Sequence, residues 1–428
     1  MYKKSFKEKE GYISKEKTKI LLKEYAASIS EDVKEILLLP PDNTRKPSGA
    51  GVLTNILYQE LKDKVNITIM PATGTHDPMT TEKIRDMFGE DIPLGVFVEH
   101  NWRQDTVHVG TIPDNFVSEI SNGVVNDSID VAINKRLISD KYDRIISIGQ
   151  VVPHEVVGMA NYSKNIFVGC GGEDMINKSH FIGAAYGMEK LIGKDYSPVR
   201  RLFDYAQDKF LGDIPLDYIL TVSSSKINPK TGLTDLTGLF IGRGRGIFEE
   251  AVALSQQCNI KKIDQSFRKI VVYLDPEEFK SLWVGCKGIY RTRLLVEDGG
   301  EIVLIAPGLS QVGEDEKFDS LMRKYGYLGK DKILELVKDQ EELQQNLAVP
   351  AHLIHGSSNG RFSVTYASDL ISKEEIEGVN FNYLTLEQVF DKYNPGQLSE
   401  GYNVLKNGEE IYYIENPAIG LWVAQDQF

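Results

Sequence analysis

The sequence contains few cysteines and no long apolar segment. Its three cysteines, Cys170, Cys258 and Cys286, are an odd number and lie far apart in a chain of 428 residues. This pattern argues against a disulfide framework and favours a reducing compartment. No run approaches the roughly 18 apolar residues of a membrane-spanning helix, and the basic N-terminal segment is not followed by the apolar stretch of a signal peptide. We therefore expect a cytoplasmic protein with no membrane partner.

The sequence also lacks the basic excess that nucleic-acid binding favours. It has 62 acidic and 49 basic residues, a net charge of −13, so we expect no nucleic-acid partner. The hydrophobic fraction of 41% and the charged fraction of 26% are ordinary for a globular protein and exclude general disorder. We find no internal repeat. At about 150 residues per domain, the length corresponds to two or three domains.

Short apolar segments alternate with segments of helical periodicity along the chain. The first series contains predicted strands at residues 35–40, 66–70, 94–99, 143–149, 216–222 and 236–241. A polar and basic stretch near 262–268 separates it from a second series, which has predicted strands at 270–274 and 301–306 and a predicted helix at 276–296 between them. Strands that are apolar throughout and separated by helices are typical of the parallel sheets of α/β proteins.

We therefore predict an α/β fold with two domains, each with a mostly parallel sheet flanked by helices. Residues 1–265 form the predicted N-terminal domain, which carries most of the candidate site residues, and residues 266–415 form the C-terminal domain. The apolar terminal segment 416–428 needs a packing surface, for which the first domain is the candidate. An Asn407-Gly408 step between two apolar segments predicts a β-hairpin with a tight turn.

Polar and charged residues follow the predicted strands, at the ends where open α/β sheets bind ligands. Asp42 and Arg45 follow the first strand, His76 the second, His100 the third, and His154 the strand at 143–149. One such residue alone is most simply a loop residue that bonds to backbone. Several at one edge of a sheet predict a shared cleft.

The stretch from His154 to His180 is unusual because it places Lys164 before a run of small residues at 169–172. A lysine among apolar and small residues can act as a nucleophile, since desolvation lowers its pKa. Histidines ligate metals or transfer protons near neutral pH. On spacing alone, a structural loop with a solvated lysine remains an equal interpretation.

Two weaker patterns point to other chemistry. Residues 242–246 (GRGRG) follow a strand and open a helix, which is the setting of a phosphate-binding turn and would suit a nicotinamide dehydrogenase. The third glycine, however, comes too early for the dinucleotide-binding motif. His352 and His355 have the spacing of a metal pair, as in an amidohydrolase, but no third ligand lies nearby in the sequence.

Several motifs together resemble one known family, the nickel-pincer-nucleotide-dependent lactate racemases. They are PDNTR (41–45), GTHDPMT (74–80), EHN (99–101) and KG (287–288), together with a lysine ten positions after His154 and sixteen before His180. The resemblance covers the chain from the first predicted strand to the helix predicted after residue 275, and more loosely the rest. It implies an active site in the cleft between the two domains.

The resemblance implies an isomerase that racemises or epimerises a 2-hydroxy acid by proton-coupled hydride transfer. The cofactor is a nickel-pincer nucleotide, the nickel complex of pyridinium-3,5-bisthiocarboxylic acid mononucleotide, which dedicated synthesis enzymes supply. By resemblance, Lys164 is its covalent tether and His180 the protein ligand of nickel, a combination that suits Ni(II) with soft sulfur donors. The remaining cofactor-binding residues implied are Asp42, Thr44, His76 and Gly169.

The same resemblance assigns the substrate-binding residues. His100 and His154 are the two bases, one for each hand of the substrate, and imidazole suits this task because its pKa lies near neutral pH. Arg45 binds the substrate carboxylate through planar hydrogen bonds, and Lys287 from the second domain is the further cation.

Residues 161–163 (NYS) depart from the family pattern, which has a glycine pair just before the tethering lysine. Val284 also stands where the family tends to have glutamine. We interpret the chain as a divergent member whose substrate differs from lactate. The alternatives are an oxidoreductase or a non-C2 epimerase on the same cofactor, and a non-catalytic homologue that binds a ligand in the same cleft.

Overall fold

The computed structural model describes residues 3–8, 11–228 and 231–428. The chain forms two compact units. The first unit contains the described residues up to Ser179 together with Gly193–Asn259, and the second contains His180–Ile192 and Ile260–Phe428. The domain boundary predicted from the sequence lies at 265/266. In the structure the second unit begins at Ile260 and also includes residues 180–192.

A six-stranded sheet forms the centre of the first unit. Its strand order is β1-β10-β9-β6-β2-β3, in which the β9–β6, β6–β2 and β2–β3 pairs are parallel and the two pairs that involve β10 are antiparallel. The bounds are β1 Lys4–Lys7, β2 Glu35–Leu39, β3 Asn66–Ile69, β6 Arg144–Gln150, β9 Leu216–Asn228 and β10 Leu233–Gly242. The last four residues of β2 are fully buried, as expected for a central strand covered on both faces.

In the described residues of this unit, two small antiparallel sheets and six complete helices accompany the central sheet. The sheets pair β4 (Thr106–Ile112) with β5 (Ile129–Asn134), and β7 (Pro153–His154) with β8 (Gly158–Met159). The helices are α1 Lys15–Ala27, α2 Ala50–Leu61, α3 Thr81–Phe88, α4 Asp114–Ser121, α7 Pro198–Phe210 and α8 Arg245–Asn259. The helix α5 (Glu173–Tyr186) begins in the first unit and ends in the second.

The second unit has its own six-stranded sheet, in the order β15-β14-β13-β12-β17-β16. Every pair is parallel except β17–β16. The bounds are β12 Phe267–Tyr273, β13 Val296–Ile305, β14 Ser363–Ala367, β15 Asn382–Leu384, β16 Gly401–Val404 and β17 Glu410–Ile414. The predicted α/β class with mostly parallel sheets is confirmed, and β16 and β17 form the predicted hairpin around Asn407-Gly408.

Short helices accompany the second sheet. They are α6 Met188–Leu191, α9 Leu282–Gly285, α10 Lys287–Thr292, α11 Glu316–Tyr325, α12 Lys330–Asp339, α13 Glu341–Gln344, α14 Ala348–Gly356, α15 Lys373–Gly378 and α16 Leu386–Lys392. A separate parallel pair joins β11 (Ile260–Ile263) to β18 (Leu421–Ala424). The terminal segment, for which we predicted packing on the first domain, thus pairs with residues 260–263, which lie within the predicted first domain and group with the second unit.

Two predicted elements are wrong. Residues 94–99 form a short 3₁₀ turn, Leu94–Val96, and only Phe97 bridges to Ile69, because Pro93 starts a turn where a strand would need to continue. The single helix predicted at 276–296 is instead the two short helices α9 and α10, and Ser281 caps the first of them. Across the described residues, none of the helices combines the length and apolar character needed to span a membrane.

Candidate active site

The loops after β2 and β3 lie side by side in the first unit. Pro41 forms a parallel bridge with Ala72, three positions beyond the Leu38–Ile69 pair, so the β2–β3 pairing continues past the ends of the strands. The amide of Gly74 then donates to the carbonyl oxygen of Gly169 at 2.9 Å, so the second loop is also attached to the segment after Lys164. The parallel strands thus bring the loops after β2 and β3 together at one edge of the sheet, and the Gly74–Gly169 hydrogen bond attaches the segment after Lys164 to them.

Asp42 organises the first of these loops. Its Oδ1 accepts from the backbone and hydroxyl of Thr44 at 3.2 and 2.5 Å, and its Oδ2 lies 2.5 Å from Nδ1 of His76. Burial by itself would raise the pKa of Asp42, but the hydrogen bonds and charge of His76, the Thr44 hydroxyl and the charge of Arg45 outweigh burial and lower that pKa. Asp42 is therefore a buried carboxylate that fixes its neighbours in place.

Arg45 lies in a short 3₁₀ helix, Asn43–Ser48, with non-helical backbone angles of φ −109° and ψ 20°. Its side chain is exposed and forms no ion pair within the described part of the chain. An exposed guanidinium on a loop that Asp42 holds in place is available to a carboxylate ligand.

Lys164 lies just before a single π-helical turn, Asn165–Gly169, and is partly buried. Burial, and next the charge of Arg45, lower the pKa of its amine from 10.5 to about 8. Glu155 and Asp42 oppose this shift, and Arg200 adds to it. Its ammonium forms no ion pair with any side chain that the structure describes. A lysine with such a pKa is a better nucleophile than a solvated one, because more of it is the free amine at neutral pH.

Asn165 and Gly169 hold the turn after Lys164 against the sheet. The Asn165 amide donates to the carbonyl of Leu39 at 3.3 Å and to the hydroxyl of Ser147 at 2.9 Å, and these residues belong to β2 and β6. A Cβ at Gly169 would lie 2.9 Å from both the Ala72 methyl and the Asn165 side chain, so only glycine fits here without displacement.

His100 is buried beside Asn134, the last residue of β5. The Asn134 amide nitrogen lies 2.9 Å from His100 Nδ1, while its oxygen accepts from the backbone of Arg136 at 3.0 Å. This fixes the amide so that Nδ1 is an acceptor and the neutral ring carries its proton on Nε2. Within the described part of the chain, Nε2 is buried and makes no hydrogen bond. Burial, opposed by the charge of Asp105, lowers the pKa of His100 from 6.5 to about 4.

His154 is buried in the short strand β7, where its Nδ1 accepts from the backbone amide of Val156 at 3.1 Å and lies 3.9 Å from a Glu155 oxygen. Eight of the predicted site residues thus belong to the first unit. These are Asp42, Thr44, Arg45, His76, His100, His154, Lys164 and Gly169.

The other two predicted residues belong to the second unit. His180 is partly buried in the C-terminal part of α5. Lys287 begins α10, with its ammonium 3.1 Å from Glu278 and 5.6 Å from the centre of the Phe279 ring.

The two weaker patterns have structural roles. His352 stacks on Trp283 at 3.9 Å between ring centres and lies within 3.0 Å of the Tyr290 and Tyr327 hydroxyls, so it is a histidine of the second unit's interior. Arg245, within 242–246, pairs with Asp195 and Asp204. In the described part of the chain, no three His, Cys, Asp or Glu side chains are grouped so that they could hold a metal ion.

Sequence reasoning missed Asn134, Asn165 and Arg200, although each fixes a candidate site residue or its loop. Asn134 and Arg200 have no distinctive neighbour in the sequence, and Asn165, although it directly follows Lys164, makes its contacts with distant strands. Asn134 ends a β-strand 34 positions from His100, and Arg200 lies on α7, 37 positions from the Ser163 that it contacts. Only tertiary contacts identify them.

Comparison with known proteins agrees with the sequence resemblance. Residues 7–189 match the lactate racemase N-terminal domain family. The lactate racemase of Thermoanaerobacterium thermosaccharolyticum is 25% identical over 288 residues, 65% of this chain and 61% of that protein. The lactate racemase of Lactiplantibacillus plantarum is 28% identical over 148 residues, 34% of this chain and 32% of that protein. The matched regions thus span less than two thirds of these relatives.

Two solved structures share the fold. A crystal structure of a protein from Thermotoga maritima superimposes with a TM-score of 0.81 at 24% identity, over 96% of this chain and 98% of that one. The lactate racemase apoprotein from T. thermosaccharolyticum has a TM-score of 0.68 at 18% identity, over 96% of this chain and 93% of that one. At these identities the superpositions establish the two-domain α/β fold.

Proposed function

We propose that this chain, which belongs to the lactate racemase family over residues 7–189, is a racemase or epimerase of a 2-hydroxy acid. The observation that carries the proposal is the Lys164 amine, which has no ion-pair partner among the described residues, has a pKa of about 8 and senses the charges of Arg45 and Asp42. A nucleophilic amine beside an exposed guanidinium suits a tethered cofactor next to a carboxylate substrate.

The residues present fit the cofactor that the resemblance implies. Lys164 would hold it covalently, and the two loops that carry Asp42, Thr44 and His76 would contact its polar groups. The described residues contain no cluster of three metal-ligating side chains. The cofactor's own donor atoms would supply most of the ligands of the nickel ion, and His180 would be the protein ligand. When bound, the cofactor would supply the acceptor for the hydride on the substrate's C2.

Arg45 would bind the substrate carboxylate, with Lys287 as the second cation. The His100 ring is neutral at pH 7, because its pKa is about 4, and its Nε2 is the atom available to a substrate oxygen. As the Asn134 amide now stands, Nε2 carries the proton and would donate a hydrogen bond to that substrate oxygen. For His100 to take up a hydroxyl proton, that amide must turn its oxygen toward Nδ1. His154 would be the base for the opposite hand.

The experiment is production of the chain together with the cofactor-synthesis enzymes and nickel, followed by intact mass measurement under denaturing conditions. We expect an adduct that maps to Lys164 and is absent from Lys164→Arg. Lys141→Arg is the matched control, and this variant should keep the adduct. Lys141 is exposed, and its ammonium lies 3.9 Å from a carboxylate oxygen of Glu35.

A panel of single-enantiomer 2-hydroxy acids, followed by chiral chromatography, then tests the activity. Appearance of the opposite enantiomer, or of a C2 epimer, supports the proposal. Release of a keto acid would favour an oxidoreductase, and change at another carbon a non-C2 epimerase. An adduct on a known family member prepared in parallel, with none on this chain, would contradict the proposed cofactor.

A further inference from the structure

The turn that precedes Lys164 has an unusual backbone. Asn161 and Tyr162 both have left-handed angles, with φ of 67° and 58°. The other non-glycine residues with positive φ in the described part of the chain are Asn122, Asn359 and Asn380, and asparagine tolerates this region. Tyrosine does not, because the left-handed conformation places its Cβ too close to the following carbonyl oxygen. Something in the surroundings must therefore hold the turn in this shape.

The side chain of Tyr162 supplies part of the compensation. Its ring is buried, stacks on Phe248 at 5.1 Å between centres and contacts Tyr218 at 4.5 Å. Its hydroxyl accepts from the Gln207 amide at 2.5 Å, and Gln207 in turn accepts from Tyr218. A buried aromatic ring with a satisfied hydroxyl stabilises by several times the backbone cost.

Arg200 supplies the rest, because it binds the backbone of the turn directly. Its guanidinium donates to the carbonyl oxygens of Met159 and Asn161 at 2.7 and 3.3 Å and to the Ser163 hydroxyl at 2.8 Å. Only 1% of the residue is exposed, and the guanidinium lies 4.4 Å from the Phe248 ring centre. Three of the five residues before Lys164 are thus attached to one buried cation.

We propose that Arg200 is the positioning residue for Lys164. Its planar guanidinium holds the left-handed turn at 161–162 and thereby fixes the lysine on the side of the loop that carries the candidate site. The inference rests on the proposed function, because it gives the turn the task of presenting the tethering amine. In this family's pattern the turn has glycines, which adopt positive φ without a support. Here a side-chain framework replaces them.

The geometry also sets the electrostatic surroundings of Lys164. The charged groups that act on its amine are Arg45, Glu155, Arg200 and Asp42. A turn that loosens would let the amine reach water and would move it away from the cation of Arg200. Both changes favour the ammonium form, so loss of the support should make Lys164 behave like an ordinary lysine.

The test uses the chain without cofactor and measures the rate at which trinitrobenzenesulfonate modifies Lys164, by peptide mass spectrometry from pH 6.5 to 10.5. Arg200→Lys keeps the positive charge but removes the planar guanidinium that makes the three contacts. We expect its labelling midpoint to rise from near pH 8, and its rate at pH 7.5 to fall at least about threefold. Ser163→Ala removes one of the three contacts and is the variant of lower folding risk. Its labelling midpoint and rate should change in the same direction, but by less.

Arg201→Lys is the control, since Arg201 is the next residue on the helix, is exposed and pairs with Glu119; it should match the original chain. Unchanged midpoints and rates in both Arg200→Lys and Ser163→Ala would overturn the inference. Because the assay needs neither nickel nor substrate, that result is distinct from failure of the racemase assay, which would leave the labelling shift intact.

Discussion

His100 provides a quantitative test of the buried site. The ring is 3% exposed, and burial lowers its pKa from 6.5 to about 4. In the unfolded chain the pKa returns to about 6.5, so between pH 4 and 6.5 the unfolded state binds more protons than the folded state. His100 therefore costs no stability above pH 6.5, and its cost grows as pH falls through this window. The difference between the two pKa values amounts to about 3 kcal/mol.

The assay compares urea unfolding of the original chain and of His100→Gln from pH 7.5 to pH 4.5. Other groups also titrate, so the informative quantity is the difference in unfolding free energy between the two proteins at each pH. That difference should move in favour of the variant by most of about 3 kcal/mol over this range. His108→Gln is the control for loss of a histidine, because His108 is exposed.

A difference that stays within about 0.5 kcal/mol across the range would refute the reasoning, since it would mean that His100 titrates alike in the folded and unfolded chains. A direct nuclear magnetic resonance titration of the His100 ring gives an independent reading. We expect a midpoint near pH 4, and a midpoint near 6.5 would contradict the burial argument.

Four further outcomes follow from the same contacts. At pH 7 about 9% of Lys164 should be free amine, against roughly 0.03% of an ordinary lysine, so competitive amine labelling should favour it by about 300-fold before steric differences; labelling at the average lysine rate would contradict this. Asn134→Asp should raise the pKa of His100, because a carboxylate replaces the amide donor at Nδ1; an unchanged or lower midpoint would show that Asn134 does not control the ring. The lowered pKa of Asp42 means that its stabilisation is present at neutral pH and lost as pH falls through its native pKa, so the stability difference from Asp42→Asn should shrink in acid. Asn165→Ala should cost about 1–3 kcal/mol in urea unfolding, since it leaves the Ser147 hydroxyl and the Leu39 carbonyl without that donor.

Much of the sheet architecture could be predicted because buried parallel strands are apolar along their whole length. The segments at 35–40, 66–70 and 143–149 correspond closely to β2, β3 and β6. The same rule failed at 94–99, where a comparably apolar segment follows Pro93 and makes only one bridge to the sheet. It also missed β1, whose sequence KSFK is short and charged and becomes a strand only because β10 offers it an edge.

The candidate site was predictable to the extent that its residues follow strands. Asp42, Arg45 and His76 come together because neighbouring parallel strands end at one edge, and strand order is the only tertiary information this requires. The protonation states of the site residues could not be predicted in this way. The pKa of Lys164 depends first on burial, and burial is set by residues far apart in the sequence, so spacing left a solvated lysine as an equal interpretation.

The turn before Lys164 shows why a departure from a motif need not be a loss. From sequence, residues 161–163 lack the glycine pair that a left-handed turn would use, which suggests a different backbone. The structure shows a left-handed backbone at Asn161 and Tyr162, which an aromatic stack and a buried guanidinium support. Glycine lowers the cost of the turn locally, whereas Tyr162 and Arg200 stabilise it through tertiary packing. A motif defined by glycine thus records a backbone requirement, and any set of contacts that meets the requirement can replace it.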